Sequence, residues 1–503
     1  MQRSCYNSSK FGGTMMRIPK TMSTQHPDNV NVPFFALNTE LSGEDEIQEA
    51  FYAYSHLHCI EQMWDAEGKE VDNFVVKKLL TKYEQFFRKN KLGTDVFLTL
   101  RVPNPKVEKT EAKVLLETLE GIPRSFDAAK LFYENDQVPI FEVILPMCES
   151  AQALFRVYSY YKDYVVGKQN DVFANSQMKI SEWIGEFKPA TINVIPLFED
   201  KTHMLDASAI LKDYFILQKD ENIPYQRVFF ARSDPAMNYG MISAVLLNKI
   251  ALFRLQTLQT ELNLPFYPII GVGSAPFRGN LRPDTVARVS SEYPSAYTFT
   301  IQSAFKYDFD PDLVRNAIDE LEKRVVLPAQ PIDEKIALEL IERYGKAYSE
   351  QVLRHSTLIN RMAKFIPSRR KRKLHTGLFG YARNVSGTSL PRVITFTASL
   401  YSLGCPPELF GLDSLTDEDI QFLRQNYVNF DLDIRDALKF YNPKSPCTSL
   451  SLTKTIEHLF PDYEVDKAHL KLTTLIIDAM EQNQSIGLSD LVIQAANRRH
   501  FLG

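Results

Sequence analysis

Residues 191–200 read TINVIPLFED: a short β-branched and apolar run that passes directly into Glu199 and Asp200. The run has strand length, and its apolar residues are nearly continuous, which is the pattern of a strand buried on both faces. The same design recurs along the chain at residues 96–102 (VFLTLRV), 139–147 (PIFEVILPM), 227–231 (RVFFA), 266–272 (FYPIIGV) and 297–302 (YTFTIQ). Charged or small polar residues close most of these runs. Arg101 ends the first, Glu142 and Glu149 bracket the end of the second, Arg232 and Asp234 follow the fourth, and residues 274–278 follow the fifth. Stretches of helical period lie between them, for example at 151–166, 206–218, 243–262 and 311–324. Alternating strand and helix predicts a parallel sheet. An open doubly wound sheet gathers its ligand groups at one switch point, whereas a barrel distributes them over many strand ends. Charge at successive strand ends therefore favours a (β/α)8 TIM-type barrel.

Residues 334–365 read as one long helix, and the chain from 413 onward is mostly helical with no clear strand. The expected organisation is an N-terminal extension over residues 1–20, without order, then a catalytic barrel with helical insertions over 21–400. A helical C-terminal region over 401–503 packs on the barrel.

The 503 residues carry 58 basic and 62 acidic side chains, for a net charge of −4, and 44% are hydrophobic. Such a composition supports a large core and excludes a disordered chain or a small disulfide scaffold. The near balance of charge gives no overall reason to expect nucleic acid or a membrane surface as partner. Cys5, Cys59, Cys148, Cys405 and Cys447 are scattered and form no C-x-x-C, so they read as free thiols of a reducing compartment. No apolar run approaches the roughly 18 residues of a membrane span. The N-terminus lacks the apolar stretch of a signal peptide. A cytoplasmic location is expected.

Several motifs carry two readings each. The loop 271–279, GVGSAPFRG, follows a strand, and Gly271, Gly273 and Gly279 with Arg278 could cradle a phosphate. A glycine-rich turn closed by a surface arginine explains it equally well. Glu199 and Asp234 end neighbouring strands and could hold Mg²⁺ or Mn²⁺ through oxygen. Helix N-caps explain such acids more often. The run 368–373, SRRKRK, with Arg383 beyond it, is a solvated or polyanion-binding face, or a set of arginines brought to a phosphorylated carboxylate. His26, in TQHPDN, is by its surroundings alone more often structural. His56, His58, Cys59 and Glu61 resemble a metal set, but they fall in a stretch of helical period, where positions i and i+2 do not face each other. His203, His355 and His458 lie in helical-looking segments and need no special role.

In combination these segments resemble the phosphoenolpyruvate carboxylase family, in its shorter archaeal-type form. TQHPDN at 24–29 is similar to the family's T-x-H-P segment. IPLFED at 195–200 is similar to P-L-F-E-T, and RSDPAMNYG at 232–240 to G-Y-S-D-S-x-K-D-x-G. GVGSAPFRG matches the end of the family's glycine-rich segment, with Arg278 on its final Arg. Ser368-Arg369 matches the start of S-R-P-x-K-R, and Arg383 lies at the spacing of a later phosphate-holding Arg. The segments TMSTQHPDN and EQMWDAEGK resemble the archaeal-type subgroup in particular. Order and spacing agree from residue 24 to about residue 390. Ile270, Val272 and Met237 replace a His, an Arg and a Lys of the long form, and Arg232 is a candidate substitute. The long form's terminal Q-N-T-G is absent, which argues against its dicarboxylate feedback inhibition.

The resemblance implies carboxylation of phosphoenolpyruvate by bicarbonate to give oxaloacetate and phosphate, with Mg²⁺ or Mn²⁺ on Glu199 and Asp234. It implies that Arg101, Arg278 and Arg383 hold the phosphoryl group and that His26 acts at the carboxylation step. Arg369, Arg232 and the three glycines would line the substrate site, and residues 369–380 would close as a lid. It further implies a homotetramer with no nucleic-acid or membrane partner. Two alternatives remain at this level. One is another barrel lyase of phosphoenolpyruvate or oxoacid chemistry that does not use bicarbonate. The other is a helical nucleic-acid-binding protein working through SRRKRK.

Overall fold

Parallel strands fed by helices bury both faces only if helices surround them, and here the sheet closes on itself. The computed structural model describes residues 10–11, 14–15, 17–66, 72–109, 112–371, 383–385 and 388–503. Eight parallel strands form a closed barrel: β1 (Thr21–Ser23), β2 (Glu61–Asp65), β3 (Phe97–Arg101), β4 (Glu142–Leu145), β5 (Asn193–Phe198), β6 (Gln226–Ala231), β7 (Phe266–Gly271) and β8 (Thr298–Ile301). They follow chain order around the barrel, and β8 closes on β1 with Phe299 opposite Thr21 and Ile301 opposite Ser23. The (β/α)8 expectation holds.

The sequence reading found β3 to β8 and missed β1 and β2. In β2, alternate residues point inward. Met63 packs in the barrel interior with Met22, Ile144, Ile195, Leu197, Phe229, Ala231 and Ile269. Glu61 and Asp65 share its face, so the inner stripe of β2 is mostly charged. The preceding helix, Glu44–Ser55, ends before His56 and Glu61 opens β2, so His56, His58, Cys59 and Glu61 do not share the helix expected for them.

An ionic layer fills the floor of the barrel. Arg227 donates from Nη1 to Glu61 Oε1 (2.7 Å) and Glu142 Oε2 (2.8 Å), and from Nη2 to Glu61 Oε2 (2.8 Å). Thr99 Oγ1 donates to Glu61 and Tyr225 Oη to Glu142. All three charged groups are buried, so each depends on the others for solvation.

The long helix spans Glu334–Ala363, close to the expected range. It presses Tyr344 against Gly240, where a Cβ would lie 2.5 Å from the ring, and Tyr348 Oη donates to Met237 O (3.1 Å). It thereby pins the short helix Ser233–Tyr239, which carries Asp234. Beyond Leu390 the described chain is helical and turns back at its end: Leu502 N donates to Asp28 O (2.7 Å). Of the expected N-terminal extension, residues 1–9, 12, 13 and 16 lie outside the described residues, and residues 10–11 and 14–15 pair as a short ribbon. Met241–Leu262 is the one described helix long and apolar enough to cross a membrane, contrary to the sequence reading. It is a buried core helix, with Lys249 paired to Glu292 at 2.8 Å.

Replacing Arg227 with Met strands two buried carboxylates. Arg227→Met is expected to cost about 3–5 kcal/mol of stability, read as a lowered denaturation midpoint; an unchanged midpoint would contradict the account of the floor.

Candidate active site

Arg101, Glu199, Asp234 and the loop of Arg278 all lie at the C-terminal ends of barrel strands. Glu199 follows β5 and Asp234 lies just beyond β6, and these two strands pair through Leu197–Phe229 and Phe198–Phe230. Neither acid is a helix cap. Helix Lys201–Leu205 is capped by Asp200, whose Oδ1 accepts from His203 N (3.1 Å). The residue before Ser233–Tyr239 is Arg232, with no side-chain cap. Glu199 Oε2 instead accepts from Met147 N beyond β4 (2.7 Å). Among the described residues no group of three or more His, Cys, Asp or Glu is gathered for a metal. Two carboxylates on adjacent strand ends are a hard-oxygen donor pair that fits Mg²⁺ or Mn²⁺, ions that complete their shell with water and substrate.

The loop after β7 differs from an exposed phosphate cradle. Arg278 is 1% exposed. It donates to Asp28 Oδ2 (3.1 Å), Gly503 O (2.8 Å), Gln302 Oε1 (2.6 Å) and Ser233 Oγ (3.2 Å). A Cβ on Gly273 would sit 2.9 Å from the Arg278 guanidinium, and Gly279, at φ +123°, would drive one into Val272. Gly271 lies against the Phe229 ring. The glycines therefore let the loop wrap its own arginine. Burial pushes the Asp28 carboxyl up and the Arg278 guanidinium down, and each partner opposes the shift of the other. Arg232 is also buried, reaching Phe277 O (3.2 Å) and Tyr293 Oη (3.2 Å), so it braces this loop from beneath.

Arg101 ends β3 and forms a two-point pair with Asp65 at the end of β2, at 2.8 and 2.6 Å. Asp65 N donates to Gln25 Oε1, and Gln25 Nε2 donates to Glu49 Oε2. Glu49 is fully buried and also takes Arg370 (2.8 Å), Lys306 (3.0 Å) and the Tyr307 hydroxyl (2.9 Å). Burial alone would raise the Glu49 carboxyl; Arg370 and Lys306 outweigh it and hold it well below the usual range. Lys306 Nζ donates to Thr24 O (2.9 Å) and Ser23 Oγ (3.1 Å). His26, half-buried, stands beside Thr24 with Nδ1 2.9 Å from Oγ1.

The basic run is partly internal. Arg369 Nε donates to Val30 O (3.0 Å), and Arg370 pairs with Glu46 and Glu49. Two of its charges are thus spent inside the fold, which is not how a solvated polyanion face is built. Arg383 opens a short ribbon, Arg383–Val385 against Thr388–Leu390, and its side chain lies outside the described set. Of the expected lid, residues 372–380 lie outside the described residues. The sequence reading passed over Asp28, Glu49, Asp65, Lys306 and Arg370. Asp28 stood in the quoted TQHPDN segment and Arg370 in SRRKRK, so a signal was present; Glu49 and Lys306 sit in ordinary helical sequence.

The family model for phosphoenolpyruvate carboxylase matches residues 18–503. The chain belongs to the phosphoenolpyruvate carboxylase family. It is 55% identical to the phosphoenolpyruvate carboxylases of Methanospirillum hungatei and Methanothermobacter thermautotrophicus, each over 97% of this chain and 100% of the relative. It is 46% identical to that of Halobacterium salinarum over the same shares. These archaeal phosphoenolpyruvate carboxylases agree with the subgroup that the segments at 21–29 and 61–69 resemble.

Behind the Arg278 loop, Glu408 Oε1 accepts from Phe277 N (2.5 Å) and Tyr401 Oη (2.6 Å). Burial raises its carboxyl to about 7. A raised carboxyl stabilises the fold below the unfolded value of about 4.3, and that contribution is lost as pH rises through about 7. Glu408→Gln keeps the accepting oxygen and cannot ionise. Its melting temperature is expected to gain on the parent between about pH 4.3 and about 7 and to keep a constant lead above that; a difference independent of pH would refute the assignment.

Proposed function

We propose that the C-terminal face of this barrel carboxylates phosphoenolpyruvate with bicarbonate, releasing oxaloacetate and phosphate. The observation that carries this reading is the meeting of His26, Arg101, Glu199 and Asp234 at the ends of β1, β3, β5 and β6 in a chain of this family. A bicarbonate oxygen attacks phosphorus and the bond to the enol oxygen breaks, giving carboxyphosphate and the enolate of pyruvate. His26 takes the carboxyphosphate proton, which promotes loss of CO₂, and the enolate carbon adds to that CO₂.

Arg101 and Arg383 are assigned to the phosphoryl oxygens, where permanently charged planar groups spread the transition-state charge. Arg369 roots the same side. Arg278 and Arg232, closed off beneath the glycine loop, are assigned to holding Asp28 and Phe277 in place. Glu199 and Asp234 would hold Mg²⁺ or Mn²⁺, whose bound charge would favour the enolate form of the substrate oxygen. Water must be kept from the enolate, or pyruvate forms instead. A homotetramer in the cytoplasm is part of the proposal, on the family pattern alone.

Oxaloacetate formation, followed with malate dehydrogenase and NADH, is expected to require phosphoenolpyruvate, bicarbonate and a divalent ion together. A rate indifferent to bicarbonate would overturn the reading. Asp234→Asn should raise the Mg²⁺ requirement steeply, and full activity at low Mg²⁺ would remove Asp234 from the metal site. His26→Asn should lose oxaloacetate while retaining bicarbonate-dependent release of phosphate; unchanged carboxylation would remove His26 from the mechanism.

A further inference from the structure

At the end of the barrel opposite Glu199 and Asp234 there is a cavity of about 490 Å³. It lies among the starts of β7 and β8, Lys20 just before β1, and the second half of the buried helix Met241–Leu262. The segment 324–328, which leaves helix Pro311–Lys323, forms a further wall. That segment is pinned in place. Lys20 Nζ donates to Arg324 O (2.6 Å), Leu327 N to Pro294 O (2.9 Å), and Ala329 N to Gln256 Oε1 (2.6 Å). The cavity is therefore already formed, with a volume inside the range of roughly 300–1,000 Å³ that holds small organic molecules. Its walls are of two kinds. Leu252, Leu255, Phe266 and Val326 supply apolar surface, and Lys20, Lys323 and Arg324 supply positive charge. Among the described residues no Asp or Glu lines it.

The charges are not neutralised from behind. Arg324 Nη2 donates to Ala296 O (2.6 Å) and Tyr297 O (2.6 Å), and the guanidinium stands 4.7 Å from the centre of the Phe299 ring. Its Nε is buried with no hydrogen-bond partner among the described residues. Lys20 is half-buried and spends its ammonium on a carbonyl. Among the described residues neither cation has a carboxylate partner. The neighbouring acid, Glu322, is already taken by Thr21 N (3.0 Å), Thr21 Oγ1 (2.7 Å) and Arg17 (3.5 Å). Burial, and after it the charge of Arg324, pushes the Lys20 ammonium down; burial pushes the Arg324 guanidinium down to about 10. Two neighbouring cations short of an acid gain from an anion that enters between them. We propose that this cavity is a binding site for a small organic anion, an acidic group carried on an apolar body. Lys20 and Arg324 hold the acid, and Leu252, Leu255 and Phe266 receive the body. The site uses no residue of the opposite face, and the inference is independent of the reaction assigned there.

The probe is anilinonaphthalenesulfonate, an apolar body with one fixed negative charge, and its uncharged counterpart phenylnaphthylamine is the control. Binding of each to the full chain is followed by fluorescence. The variants are Lys20→Met, Lys20→Arg and Val325→Glu. Val325 is exposed at the cavity wall, so an acid placed there meets the same cations without disturbing the core. The parent should bind the sulfonate at one saturable site, more tightly than the amine, and saturating phosphoenolpyruvate with Mg²⁺ should not displace it. Lys20→Met and Val325→Glu should each weaken the sulfonate about tenfold or more, with the amine at its parental level. Lys20→Arg should keep the parental affinity for both. If Lys20→Met melts early, Val325→Glu decides. No saturable sulfonate site in the parent, or displacement by phosphoenolpyruvate, would overturn the inference. Parental sulfonate affinity in Val325→Glu would overturn it, and so would an equal loss of both probes there, since charge would then play no part.

Discussion

A single buried carboxylate, Glu49, ties the substrate side of the barrel together. It accepts from Gln25, from the adjacent Lys306 and Tyr307, and from Arg370, which belong to three separate segments of the chain. Two buried cations facing the acids Glu49 and Glu46 form a closed set, and removing any one leaves an unpaired charge in a medium that solvates it poorly. From Glu49 the connections run one way through Gln25 and Asp65 to Arg101. They run the other way through Lys306 to Thr24 and His26. The proposed phosphate-side arginine and the proposed base are therefore held in one frame.

The barrel separates its polar and apolar work by height. An ionic floor of Arg227, Glu61 and Glu142 closes one end, and an apolar layer of Met63, Ile144, Ile195, Phe229 and Ile269 fills the middle. Asp65 and Arg101 stand at the other end, beside the strand termini that carry Glu199 and Asp234. The same period-two alternation that makes a strand puts each of these groups in its layer. At the C-terminal face, Asp28 plays for the glycine loop the part that Glu49 plays for Arg370: it accepts from Ala304 N and Arg278, and its carbonyl receives Leu502 N.

The strands with apolar inner faces were legible from sequence, because burial and composition coincide in them. β2 was not, because its inward residues include Glu61 and Asp65, and a charged inner stripe reads as surface. β1 is too short for any periodicity. Glu199 and Asp234 could be picked out by their place after strands, but only the structure separates them from caps, through Asp200 and Met147. Arg278 was picked out for the right loop, yet its burial was invisible in the sequence: its partners Asp28, Gln302 and Gly503 are remote in the chain. The same holds for Lys306 and Glu49, an ion pair that no local pattern announces.

On the proposed mechanism bicarbonate is first activated on phosphorus and then delivers CO₂ to the enolate within this face. Bicarbonate labelled with ¹⁸O in all its oxygens tests it directly. The account predicts one labelled oxygen in the released phosphate and two in the new carboxylate of oxaloacetate, because one bicarbonate oxygen bridges to phosphorus and the other two leave with CO₂. Phosphate free of label alongside labelled oxaloacetate would contradict it, since the carbon would then have been joined without passing through carboxyphosphate.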